Sequence, residues 1–131
     1  MGVKLLLDTH AVVWWWTDDP RLPATARGAI ADVTNTIHVS TVSAWEIATK
    51  NRLGKWPGVE RIVEEFPDLL RKSRFVPLPL SVEHARLAGA MNGAHRDPFD
   101  RMLIAQSMDE KAALVSCDSV FLDYGVDVIW A

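Results

Sequence analysis

VKLLLDTHAVVWWW, residues 3–16, reads as a buried strand running straight into an apolar helix. Val3–Leu7 is apolar except at Lys4 and is closed by Asp8, which suits a strand covered on both faces. Thr9–Thr17 follows as a helix carrying Trp14, Trp15 and Trp16, and Asp18-Asp19-Pro20 breaks it. The short apolar stretch that ends in an acid is read as a strand, because a signal peptide needs a longer apolar region and a small-residue cleavage site.

The same alternation continues outward along the chain. Pro23–Ala31 is a helix, Ile37–Ser40 a β-branched strand, and Ser43–Arg52 a helix stopped by Gly54 and Pro57. Val59–Lys72 is helical, with Pro67 expected to kink or divide it. Phe75–Leu80 is extended, and Pro77 and Pro79 put it at a sheet edge. Ser81–Met91 opens on a capping serine, Asn92–Asp97 is a polar loop, and Pro98–Met108 is a helix. Ala113–Cys117 and Val126–Trp130 close the chain as strands. Strands separated by long helical crossovers predict an α/β fold, a mainly parallel sheet with helices on both faces.

The 131 residues suffice for one domain with one proper core, and residues 1–131 are read as a single unit. No apolar run approaches the roughly 20 residues of a membrane helix. Cys117 is the only cysteine, which excludes an intramolecular disulfide and disfavours cysteine-based zinc binding. These features lead us to expect a cytoplasmic protein with no membrane partner. The net charge of −3 does not advertise a nucleic-acid binder, since such proteins rely on Lys and Arg contacts to phosphate. A metal-dependent nuclease partly escapes that rule, because it gathers carboxylates and recruits positive charge as bound cations.

Ligands of open α/β sheets bind beyond the carboxyl ends of the strands. Asp8 and Asp118 each follow a strand, while Glu46 and the pair Asp97 and Asp100 are read as lying in the first turns of helices. If those helices start at one edge of the sheet, five acids converge on one cleft. Each also has a local reading. Asp8 suits the N-cap of the Trp-rich helix. Ser43-Ala-Trp-Glu46 matches a capping box. Asp97-Pro98-Phe99-Asp100 reads as a cap, a first-turn proline and an acid facing the helix dipole, and Asp118 as a turn residue. Ser, Thr or Asn would cap as well, so the repeated choice of a carboxylate points beyond capping. Clustered carboxylates raise one another's pKa, and a divalent cation relieves the repulsion. Oxygen-only donors favour Mg²⁺ or Mn²⁺ over zinc, and such a site suits phosphodiester hydrolysis.

LLLDTHAVVW, STVSAWEIATK, HRDPFDRMLIAQS and LVSCDSVFLDYGV, in that order over essentially the whole chain, resemble the PIN domain, and more narrowly the VapC-type toxins. The resemblance implies an α/β/α sandwich around a mainly parallel sheet and Mg²⁺-dependent RNA cleavage. It also implies a homodimer and a small antitoxin whose C-terminal segment blocks the active-site groove. By position, Asp8, Glu46, Asp100 and Asp118 match the family's acidic quartet of metal ligands, and Asp97 the extra acid of the DPFD motif. Ser116 stands where a Thr-x-Asp pattern is common and offers a similar hydroxyl.

Further candidates for substrate contact are Thr9, beside Asp8, and His95 and Arg96 in the polar loop, though a local cap and a solvated loop explain them equally well. Arg101 suits a bidentate phosphate contact, or an ordinary surface position. His10 is read as structural. Three consecutive tryptophans cannot share one helix face, so part of that cluster is expected at the surface or against an antitoxin or second copy. Trp45 is expected in the core. Lys50, Arg52 and Lys55 near Trp56 form a basic-aromatic patch or simply a solvated face. Three alternatives compete. A Mg²⁺-dependent phosphotransfer protein is disfavoured because Asp8-Thr-His-Ala lacks a second nearby Asp. A non-catalytic module would use its acids only as caps and metal ligands. A housekeeping RNA-processing nuclease keeps the chemistry, and only small size and analogy favour the toxin.

Overall fold

Leu5, Leu6 and Leu7 are completely buried, because β1 (Lys4–Leu7) lies at the centre of the sheet and is covered on both faces. The computed structural model describes residues 2–92 and 97–131. After β1 come α1 (Thr9–Trp16), α2 (Ala24–Ala31) and β2 (Thr36–Ser40). Next are α3 (Thr41–Arg52), α4 (Glu60–Ser73) and β3 (Val76–Leu78). The chain ends with α5 (Val82–Ala90), α6 (Pro98–Glu110), β4 (Ala113–Val115), a 3₁₀ segment (Ser119–Tyr124) and β5 (Val128–Ile129).

The strand order is β3-β2-β1-β4-β5, and every pairing is parallel. Leu5 pairs with Ile37 on one side and Ala113 on the other. Successive strand residues face opposite ways. Leu5 and Leu7 therefore join a core with Val12, Ile30, Ile47, Ile62 and Phe66 from α1 to α4. Leu6 joins the opposite core with Leu103 and Ile104 of α6. Helices cover both faces, giving the expected three-layer α/β/α sandwich. Among the described residues, no helix is long and apolar enough to cross a membrane.

Pro77 sits as expected, since β3 is an edge strand, and Pro79 follows the strand directly. Pro67 does not divide the helix, since α4 continues through it over 14 residues. Pro67 faces solvent, while Ile62, Phe66, Leu69 and Leu70 anchor both halves on the core. Packing thus outweighs one missing backbone hydrogen bond.

Of the tryptophans, Trp15 and Trp16 on α1 stay partly exposed, as three consecutive rings on one helix require, and Trp45 differs from expectation. All three on α1 find partners within the chain. Trp14 is buried, lies beside Trp130 at 5.8 Å and carries the Arg21 guanidinium over its ring. Trp15 meets Phe75, and half-buried Trp16 packs edge-on against Phe66 while its Nε1 donates to Ser73 Oγ at 2.8 Å. Trp45, by contrast, is 54% exposed. The buried stripe of α3 is Val42, Ser43, Glu46 and Ile47, which turns Trp45 outward against Phe99 at 4.9 Å.

Candidate active site

The chain runs from β1 outward through β2 to β3, then crosses to the far side of β1 to lay down β4 and β5. That reversal leaves a crevice beyond the carboxyl ends of β1 and β4, the place where open parallel sheets bind ligands. The Asp8 N–H donates to Val115 O at 3.0 Å, so the ladder between the two strands carries on to the edge of this crevice. A cleft of about 480 Å³ opens there, lined by Asp8, Thr9, Glu46, Asp97, Asp100 and Asp118 among others. The five acids expected to converge are brought together.

Capping and site-building coexist in these residues. Asp8 is the N-cap of α1, its Oδ1 accepting the Ala11 N–H at 2.8 Å, yet it is buried in the cleft floor. Burial pushes its carboxyl up to about 6. The Ser116 hydroxyl and the Ala11 N–H oppose the shift, while the charges of Asp100 and Glu46 add to it. Asp97 caps α6, accepting from the N–H groups of Phe99 and Asp100 at 2.9 and 3.3 Å, with Pro98 in the first turn. Asp118 caps the 3₁₀ segment through Val120 N–H at 3.0 Å and is exposed to the cleft mouth.

Glu46 does not sit in a capping box. Ser40 caps α3 and Thr41 begins it, so Glu46 lies in the second turn and its side chain turns inward. It is buried, with Oε1 accepting from Thr9 Oγ1 at 2.6 Å and Oε2 from Lys50 Nζ at 2.5 Å. With the Thr9 proton committed to Glu46, the Ser43 hydroxyl donates to Thr9 Oγ1 at 3.1 Å. Thr9 and Ser43 thus form a buried chain that fixes the carboxylate.

Lys50 is expected with Arg52 and Lys55 in a basic-aromatic patch or on a solvated face, and of the three it alone lines the cleft. The available signal was the i, i+4 spacing of Glu46 and Lys50 on one helix face. Partial burial disfavours the Lys50 ammonium, but the Glu46 hydrogen bond and the charges of Glu46, Asp97 and Asp100 prevail and hold its pKa above the usual value. His10 also lines the cleft, stacked on Trp56 at 4.7 Å. Partial burial, foremost, keeps its pKa below the usual value. Cys117 lies in the same wall, its thiol pushed up by burial and by Asp8.

Ser116 is buried beneath the site, where its Oγ accepts the Asp118 N–H at 3.0 Å. Arg101 reaches the end of α5, its Nε donating to Ala88 O at 3.1 Å and its Nη2 to Met91 O. His95 and Arg96 lie outside the described residues. The donor set fits a hard divalent cation: carboxylates and hydroxyls around a buried acid that the protein's own groups leave hard to ionise.

A second grouping, His84, Asp109 and Glu110, brings three ligand atoms within 4.8 Å at the far end of α6. His84 Nδ1 accepts the Ser81 N–H, so Nε2 carries the proton that it donates to Asp109 at 3.1 Å. That ring nitrogen has no lone pair for a metal, and His84 serves instead in the capping box of α5.

A parallel α/β/α sandwich with a carboxylate-lined cleft at its switch point defines the class of fold and site. The chain belongs to the PIN domain family, whose profile matches residues 5–126. It is 47% identical over 73 residues to Ribonuclease VapC16 of Mycobacterium tuberculosis (strain ATCC 25618 / H37Rv), a match spanning 53% of this chain and half the length of that relative. Its fold is similar to that of VapBC2 from Rickettsia felis bound to a promoter DNA fragment, with TM-score 0.71, 17% identity, and 96% and 97% of the two chains covered. FitAcB from Neisseria gonorrhoeae is similar at TM-score 0.62 and 15% identity, over 98% and 96%.

Proposed function

We propose that this chain is a divalent-metal-dependent endoribonuclease that serves as the toxin of a toxin–antitoxin pair. The observation that carries the reading is the convergence of Asp8, Glu46, Asp97, Asp100 and Asp118 on one cleft. Membership of the PIN family and the likeness to a protein named a ribonuclease support RNA as the substrate.

Asp8, Glu46, Asp100 and Asp118 would hold the ion, directly or through water, with Asp97 assisting. We expect Mg²⁺, with Mn²⁺ as a substitute. The ion would supply Lewis acidity for attack of water on a phosphodiester and for charge on the leaving oxygen. The protein's part is positional: Thr9 and Ser43 orient Glu46, Ser116 steadies Asp8, and the helix caps fix Asp97 and Asp118. A small antitoxin protein is the proposed partner, supported by fold neighbours that were solved as VapBC2 and FitAB complexes. A homodimer acting in the cytoplasm completes the reading.

The test is to incubate the purified chain, free of any partner, with structured and unstructured RNAs in Mg²⁺, in Mn²⁺ and in EDTA. Cleavage that requires the cation supports the nuclease. Stoichiometric cation binding with no cleavage of any RNA would favour a silent binding module.

A further inference from the structure

The turn that ends α3 brings its trailing loop back onto the start of α1. Gly54 takes a left-handed φ of 72°, and the Lys55 N–H donates to Lys50 O at 2.8 Å. This reversal lays the half-buried Trp56 ring on the core and against His10, which stacks on it at 4.7 Å with the two planes 30° apart. Trp14, four residues after His10 on α1, meets the imidazole at 5.5 Å in a tilted arrangement. The imidazole is thus braced by two indoles, while His10 keeps exposed surface and lines the cleft that holds the acids.

Cations accompany this aromatic group. Lys50 lines the same cleft, and the Arg21 guanidinium lies 4.7 Å from the centre of the Trp14 ring. Both are close enough to act on the imidazole electrostatically. An aromatic ring set among cations is what single-strand binders use: a base stacks on the ring and phosphates meet the charges. A base inside a duplex is already stacked on its neighbours and cannot offer its face. We propose that His10, braced by Trp56, is the platform on which an unpaired RNA base beside the scissile phosphate stacks. The inference rests on the metal-nuclease reading above and deepens it. It makes the substrate class single-stranded or looped RNA, held at this position by a base face, which stacking reads with little regard to base identity.

The test uses the full chain and a single-stranded RNA that it cleaves in Mg²⁺. The same RNA annealed to its complement is compared, as are copies carrying one abasic residue at each position flanking the cleaved bond. Wild type is expected to cleave the single strand and spare the duplex. One abasic position is expected to raise KM by about tenfold or more, the loss of one stacked base. His10→Ala should show that rise on the intact strand and no further rise on the abasic one, because two sides of one contact are not additive. His10→Phe, which keeps an aromatic face, should retain the wild-type KM. His10→Gln takes the place of the alanine variant if that one does not fold. Equal abasic penalties in wild type and His10→Ala would overturn the inference and leave the nuclease reading intact. A duplex cut as readily as the single strand, or no sensitive position on wild type, would do the same. No cleavage of any RNA by wild type would overturn both.

Discussion

Replacing Asp8 by Asn separates what the carboxylate does for folding from its proposed role toward a cation. In the metal-free chain, Asp8 is held at about 6 against an ordinary 3.8, chiefly by burial. The folded state therefore keeps the Asp8 proton to higher pH than the unfolded chain does. Stability from this group is fully present below about pH 4 and is lost as pH rises through about 6. The difference corresponds to on the order of 3 kcal/mol at neutral pH. Asn removes the charge, keeps the shape, and remains a good N-cap for the Ala11 N–H.

In EDTA, Asp8→Asn should match wild type near pH 4 and exceed it by up to roughly that amount at pH 7.5. Urea unfolding across this range is the assay, with a midpoint gain on the order of 1 M or more for a typical urea slope. Adding Mg²⁺ should stabilise wild type by mass action and leave the variant unmoved. Parallel pH profiles for the two proteins in EDTA would refute the claim that Asp8 is ionised at a cost. Equal stabilisation of both by Mg²⁺ would remove Asp8 from the cation site.

Two further substitutions probe the scaffold. Thr9→Val deletes the hydroxyl between Ser43 and Glu46 and leaves both without their buried partner. It should cost about 1–3 kcal/mol in urea unfolding and weaken Mn²⁺ binding in a calorimetric titration. Trp14→Ala should cost about 3–5 kcal/mol, because the ring is buried beside Trp130. Trp45→Ala, removing an exposed ring with one aromatic contact, should cost no more than about 1.5 kcal/mol in the same denaturation series.

The central strand and Asp8 were legible because a fully buried parallel strand must be apolar on both faces, and an acid ending such a run stands at the ligand-binding edge. Glu46 was harder to place. Ser43-x-x-Glu46 satisfies a local capping rule, and only the choice of Ser40 as cap moves the helix start back far enough to turn Glu46 inward. Trp45, expected in the core, faces outward because the buried stripe of α3 is Val42, Ser43, Glu46 and Ile47. Pro67 does not divide α4, because core residues on either side of it hold both halves. Lys50 was hidden among neighbouring basic residues, and no composition rule distinguishes the one that folds over an acid. Arg101 suits a phosphate on chemistry alone, and only the meeting of α5 with α6 explains its bonds to the Ala88 and Met91 carbonyls.

The most direct test compares RNA cleavage in Mg²⁺ by wild type, Asp8→Asn, Asp100→Asn and Asp109→Asn. The last changes an acid near the far end of α6, well away from the cleft. The account predicts that the first two variants stay folded and lose cleavage, while Asp109→Asn cleaves as wild type does. Full activity in folded Asp8→Asn or Asp100→Asn would contradict the claim that the carboxylates at the switch point carry the chemistry.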